Sequence, residues 1–151
     1  MTKKIACGLF TFLAATLLSA EPIISFEPGE AWRERIGTGR TKVEVVAEHA
    51  VHGQHSAKVF LPGSPYDTWP GIDLKVKPGD FVDGINELNF SAWHQEKETM
   101  GINWRIEYDK GHSVFGGASV PPKTRKRIAL VIERKDADGN VSRAVKIVLY
   151  R

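Results

Sequence analysis

From residue 23 to the end of the chain, apolar and polar residues take turns, and this alternation constrains the fold more than any other feature. In "GIDLKVKP" (71–78), Ile72, Leu74 and Val76 fall on one side and Asp73, Lys75 and Lys77 on the other. In "GINWRIEYD" (101–109), Ile102, Trp104, Ile106 and Tyr108 oppose Asn103, Arg105, Glu107 and Asp109. Similar runs occur at "IISFE" (23–27), "TKVEVVAEH" (41–49), "SAKVFLP" (56–62), "ELNFSAWHQ" (87–95), "RIALVIER" (127–134) and "AVKIVLYR" (144–151). Side chains change face at every residue only in extended chain, so each run predicts a strand. No long helical period follows residue 20, and "GEAWRERI" (29–36) has room for one helical turn. Strands without intervening helices predict an all-β antiparallel sandwich or barrel rather than a parallel sheet. Gly53 in "VHGQHS" and "DADGN" (136–140) supply hairpin turns.

The first 20 residues obey another rule. Lys3 and Lys4 precede the uncharged stretch "IACGLFTFLAATLLSA", which ends in small residues before Glu21 and Pro22. A basic start, an apolar stretch and a small-residue end predict a signal peptide over 1–20, cleaved after Ala20. An uncleaved amino-terminal anchor is the rival reading. Cleavage leaves residues 21–151 as a single domain, secreted or periplasmic. Cys7 is the only cysteine and leaves with the leader, so no disulfide, thiol nucleophile or zinc–thiolate site is expected. Losing Lys3 and Lys4 takes the basic residues from 21 to 19 against 18 acids, a net charge of about +1. No stripe of Lys and Arg alternates with aromatics, so nucleic acid is not an expected partner. Neither is a membrane once the leader is gone, since no second long apolar segment follows.

Several stretches occur in a suggestive order: "SFEPGEAW", "VEVVAEHAVHGQHSAKVFLP", "WPGIDLK", "DFVDGINELNFSAWHQ" and "INWRIEYDKGHSVFGGASVPPKT". Together they resemble the jelly-roll modules attached to secreted bacterial polysaccharide-degrading enzymes, of the galactose-binding-like and carbohydrate-binding-module type. The resemblance covers roughly residues 23–150. It rests on a first strand ending in Phe26-Glu27, a turn with His49, Gly53 and Ser56, and Asp80-Phe81 leading into a strand with Leu88 and Phe90. It implies a jelly-roll sandwich that binds carbohydrate. Such modules often end in a strand whose Asp helps the Glu of the first strand hold a structural calcium. Here that Glu is Glu27, and the chain runs to Tyr150-Arg151 without that strand. The resemblance implies Glu27 as a ligand of that calcium; the departure at the last strand counts against the calcium and leaves "IISFE" an exposed edge through which a weak homodimer would form.

The candidate ligand residues follow from strand faces. Asn89, Trp93 and Gln95 share the polar face of their run; Asn103, Arg105 and Glu107 share that of theirs. If the two runs pair, Trp93 floors a shallow groove with Arg105 and Glu107. An indole offers an apolar surface to the C–H face of a sugar, and amides, carboxylate and guanidinium satisfy its hydroxyls in fixed directions. Otherwise Trp93 covers the "EKETMG" loop, and Arg105 and Glu107 form an ordinary surface ion pair. Tyr66 and Trp69 in "SPYDTWPG" are further ligand candidates; Trp69 is a platform or a plug on the end of the core. Trp104 belongs to the core, and Trp32 packs the first loop onto it. His49, His52 and His55 straddle a turn, where their spacing does not make them converge on a metal. Glu107 and Asp109 lie on one strand face about 7 Å apart, within the broad range of inverting glycosidases, but nearly any strand with two acids meets that test. No nucleophile elbow, cysteine or phosphate loop accompanies them. The expected function is non-catalytic polysaccharide binding. The rivals are a sandwich that binds another protein at the cell surface and a small glycan-active enzyme using Glu107.

Overall fold

The computed structural model describes residues 24, 26–51, 53–61, 70–81, 85–134 and 139–151. The leader and its cleavage point, Tyr66, Trp69, His52 and residues 136–138 of the expected hairpin lie outside the described residues. In chain order the elements are α1 (Trp32–Arg35), β1 (Ile36–Gly37), β2 (Lys42–Val46), β3 (Ser56–Phe60), β4 (Gly71–Lys75), β5 (Ile85–Ala92), β6 (Met100–Tyr108), β7 (Ser113–Val120), β8 (Lys126–Glu133) and β9 (Ala144–Tyr150). Among them no helix is long and apolar enough to cross a membrane.

The strands form an antiparallel β-sandwich. One sheet has five strands in the order β1-β4-β9-β6-β7; β5 and β8 pair separately, and β2 and β3 make a hairpin. Alternation explains the layers. In β8, Ile128, Leu130 and Ile132 are buried, while Arg127, Ala129, Val131 and Glu133 face outward. Beside them Leu88, Phe90 and Ala92 of β5 point the same way. They meet Ile102, Trp104, Ile106 and Tyr108 of β6, Ile147 and Leu149 of β9 and Leu74 of β4 in one core. Excluding water from these two faces is the main force holding the sheets together.

Local chemistry shapes the connections. The β2–β3 hairpin pairs Lys42 with Phe60 through Val46 with Ser56, and Gly53 in its loop has φ +68°, which a glycine adopts without strain. Helix α1 is a single turn with Trp32 buried; the ring of Phe26 lies 5.8 Å from that indole, and the Arg33 guanidinium sits 4.7 Å over it. Arg35 reaches Asp80 Oδ2 at 2.6 Å, and the same oxygen accepts the Lys77 N–H at 2.7 Å. That pair ties α1 to the loop after β4.

Three expectations are corrected. The "IISFE" strand is absent at Phe26 and Glu27: the chain turns there, with Glu30 N–H donating to the Glu27 carbonyl. The expected homodimer edge is therefore not supplied by those residues. "DADGN" does not join strands of one ladder, because β8 and β9 belong to different sheets; among the described residues Ser142 N–H donates to Arg134 O near the ends of the connection. Strands β5 and β6 do not pair either; β5 bonds to β8, and β6 to β7 and β9.

Candidate functional site

The outer face of the five-stranded sheet gathers the mixture of groups that sugar recognition needs. Directly opposed residues of an antiparallel pair share a face, so the register gives this surface row by row. The first row is Gly71, Tyr150, Asn103 and Gly117 on β4, β9, β6 and β7. The second is Asp73, Val148, Arg105 and Phe115. The third is Lys75, Lys146, Glu107 and Ser113. Phe115 is 64 % exposed, while Asn103, Arg105, Glu107, Lys146, Val148 and Tyr150 are half-buried. Glycine at both ends of the first row keeps the surface low around Asn103. A Cβ on Gly117 would stand 2.8 Å from the Asn103 amide oxygen.

Glu107 is clamped from two sides. Its Oε2 lies 2.9 Å from Lys146 Nζ, and its Oε1 pairs with the Arg105 guanidinium. The hydrogen bond from Lys146 comes first, with the charges of Lys146 and Arg105, in holding the Glu107 carboxyl below the usual range against its partial burial. An ionised, doubly paired carboxylate is an acceptor and a fixed charge, and a poor proton donor. Asp109 lies past a register shift at Glu107/Tyr108, out of line with Glu107. Its Oδ1 accepts the Arg143 N–H at 3.0 Å and the Ser142 hydroxyl at 3.1 Å, and the Arg143 bond leads in lowering its pKa.

The expected ligand residues divide between two sides of the molecule. Asn103, Arg105 and Glu107 are together on β6. Asn89 lies on the outer face of β5, where it accepts from Arg127 Nε at 2.9 Å and donates to Glu87 at 2.7 Å. Trp93 follows β5 and stacks on His49, and Gln95 is exposed beyond it. The groove of Trp93 with Arg105 and Glu107 loses its premise, because β5, which Trp93 follows, pairs with β8 and not with β6. The next residue, His94, is buried, its Nε2 2.8 Å from the Val120 carbonyl oxygen.

Glu27 sits apart from both faces. Its Oε1 accepts the amides of Gln54 and His55 at 2.7 and 2.9 Å, and its Oε2 lies 2.9 Å from His55 Nδ1. The His55 ring bond, followed by the Gln54 amide, lowers the Glu27 pKa. Calcium takes oxygen ligands. The described contacts of Glu27 are N–H donors rather than further oxygens, and among the described residues no three His, Cys, Asp or Glu side chains converge on a metal-sized site. A cleft of about 790 Å³ opens beside the pair, lined by Phe26, Trp32, Arg33, Lys42, Glu44 and Val45 among others.

Sequence reasoning missed Phe115, Tyr150 and Lys146 as site residues. Tyr150 and Lys146 could be placed on a face of their own strand, but only the register shows that this face is shared with Arg105. Phe115 carried no signal, because "SVFGGASV" does not alternate. No family model, curated protein or solved structure matches the chain.

Proposed function

We propose that the protein binds polysaccharide, without cleaving it, through the outer face of its five-stranded sheet. On this reading it is a jelly-roll module of the galactose-binding-like, carbohydrate-binding type, exported by the leader at 1–20 and working outside the cytoplasm. The observation that carries the reading is the second row, in which Asp73, Val148, Arg105 and Phe115 cross four strands side by side, flanked by Asn103 and Tyr150. Phe115 and Tyr150 stand two strands apart, about 10 Å across the sheet. That separation suits neighbouring units of a chain better than one sugar. Ring faces take the C–H surfaces, and the amide, guanidinium and carboxylates take the hydroxyls. The clamped Glu107 and the tethered Asp109 favour binding over hydrolysis, since neither is placed to give up a proton to a leaving group.

The test is affinity electrophoresis and calorimetry of residues 21–151 against a panel of plant, algal and bacterial polysaccharides, with reducing-end release measured in parallel. Retention on at least one polymer, lost in Phe115→Ala and Arg105→Ala and unaccompanied by new reducing ends, is expected. Failure to bind any polymer would overturn the reading, and sustained release of reducing ends would replace it with the enzymatic one.

The position of β7 at the end of the sheet among the described residues favours a second reading, in which the sandwich joins another protein chain by strand addition. β7 ends the sheet, and its eight residues include no charge and no proline, with Val114 and Phe115 both exposed. Such edges pair unless something blunts them. A second copy of the chain is the occupant this reading names, with β7 of each copy antiparallel to the other. Concentration-dependent dimerisation in sedimentation, abolished by Val114→Lys, is its signature; a monomer at all concentrations rejects it.

A further inference from the structure

The third row of the outer face contains an electrostatic conflict that a neutral ligand leaves unresolved. Lys75 and Lys146 are directly opposed in register on neighbouring strands. Like charges in that position repel and weaken the pairing. The only carboxylate in the row is Glu107, and its two oxygens are already taken by Lys146 and Arg105. Lys75 is exposed and has no carboxylate partner among the described residues. Asp73, the other acid on this face, stands one row away beside Val148 and makes no ion pair among the described residues. Two cations, Arg105 and Lys146, therefore share the Glu107 carboxylate, and the Lys75 ammonium has no carboxylate among the described residues, beside the row that holds Phe115.

Resting on the polysaccharide reading above, we infer that the glycan is anionic and that a carboxylate or sulfate of it is held between Lys75 and Lys146. A chain lying along the second row places its edge over the third, since adjacent rows on one face are about 7 Å apart. An acidic group on that edge relieves the lysine repulsion and gains charge-assisted hydrogen bonds. Serine at the far end of the row, Ser113, adds a hydroxyl without adding charge. A neutral glycan would leave the Lys75 ammonium without an anionic partner, since Lys146 is already paired with Glu107.

The experiment uses matched polymers: polygalacturonate and its carboxyl-reduced form, and a sulfated galactan and its desulfated form. Affinities are measured at low and at physiological salt for the unaltered protein, Lys75→Gln, Lys146→Gln and the charge-matched control Lys58→Gln, which lies on the hairpin. At least one acidic polymer should bind tighter than its neutral partner; Lys75→Gln should weaken that binding roughly tenfold, the scale of one hydrogen bond to a charged group, and Lys58→Gln should not. The carboxylate and sulfate pairs show which anion is preferred. Lys75 is exposed, and a melting curve for each variant separates lost binding from lost fold. Equal binding of charged and neutral polymers would overturn the inference while leaving the polysaccharide reading in place. So would acidic binding that Lys75→Gln and Lys58→Gln reduce alike, since that reports net charge alone. Absence of binding to all four polymers and to the wider panel would remove both.

Discussion

Trp93 stacks on His49, with ring centroids 3.9 Å apart and 20° between the planes. The contact fastens the tip of the β2–β3 hairpin to the end of β5, two segments that share no backbone ladder. An aromatic pair contributes about 0.5–1.5 kcal/mol beyond its buried area. Trp93→Ala and His49→Ala should each destabilise the fold modestly, and a double-mutant cycle in urea should show coupling between them of roughly 1 kcal/mol. Additive effects would mean the stack does not hold the hairpin. Glycan affinity through the five-stranded sheet should be unchanged in Trp93→Ala; a loss of affinity with intact stability would restore Trp93 as a sugar platform.

Phe115 gives the opposite pattern. Its ring is 64 % exposed on an edge strand, so Phe115→Ala should leave the melting temperature nearly unchanged. Covering that ring with a sugar removes apolar surface from water, and its loss should weaken polysaccharide binding by about 1–3 kcal/mol. Calorimetry against the best polymer of the panel decides the point, and unaltered affinity would move the binding surface elsewhere.

Acid should loosen the molecule through three carboxylates. Glu27, Glu107 and Asp109 have folded-state pKa values below their ordinary range, owing chiefly to His55, Lys146 and the Arg143 amide respectively. Groups depressed in this way contribute stability that is present above the unfolded value and disappears as pH falls through the folded one. The melting temperature should therefore decline from about pH 5 downward, where ordinary carboxylates begin to protonate. Glu107→Gln should flatten part of that decline. An unchanged acid limb in this variant would show that its clamp adds nothing to the pH dependence.

Leu130 and Val131 test the sandwich itself. They are neighbours on β8, one fully buried and the other 53 % exposed. Leu130→Ala should cost about 2–5 kcal/mol, the range for emptying a packed leucine site. Val131→Thr should stay within about 0.5 kcal/mol, as surface changes usually do. Chemical denaturation measures both, and comparable losses would contradict the assignment of β8 faces.

The layers of this fold were legible because a two-residue period says which side of a strand is dry. It did so for β4, β5, β6, β8 and β9, whose expected runs each contain the strand or all but its first residues. The period carries no information about which strand lies next to which. Hence the supposed pairing of β5 with β6 failed although only residues 93–99 separate them, and the candidate site divided into two faces. β7 was invisible for another reason. Val114 and Phe115 are adjacent, and Gly116 follows because the Trp104 indole occupies the place its Cβ would take. The packing of a neighbouring strand, rather than a pattern of its own, makes that segment a strand. "IISFE" was the converse case, alternating in sequence yet turning at Glu27, where the carboxylate is held by the hairpin amides.

The position of β9 in the strand order affects how the molecule is assembled. Residues 144–150 lie in the middle of the five-stranded sheet, between β4 and β6. A nascent chain that has not yet delivered them can pair β1 with β4 and β6 with β7, but it cannot join those halves. Completion of the sheet waits for a contact spanning some 80 residues, between Gly71 and Tyr150, and such late, distant closures make folding slow. Until then Ile102, Trp104 and Leu74 remain uncovered by Ile147 and Leu149, so a stalled or shortened chain exposes apolar strand surface to proteases and chaperones.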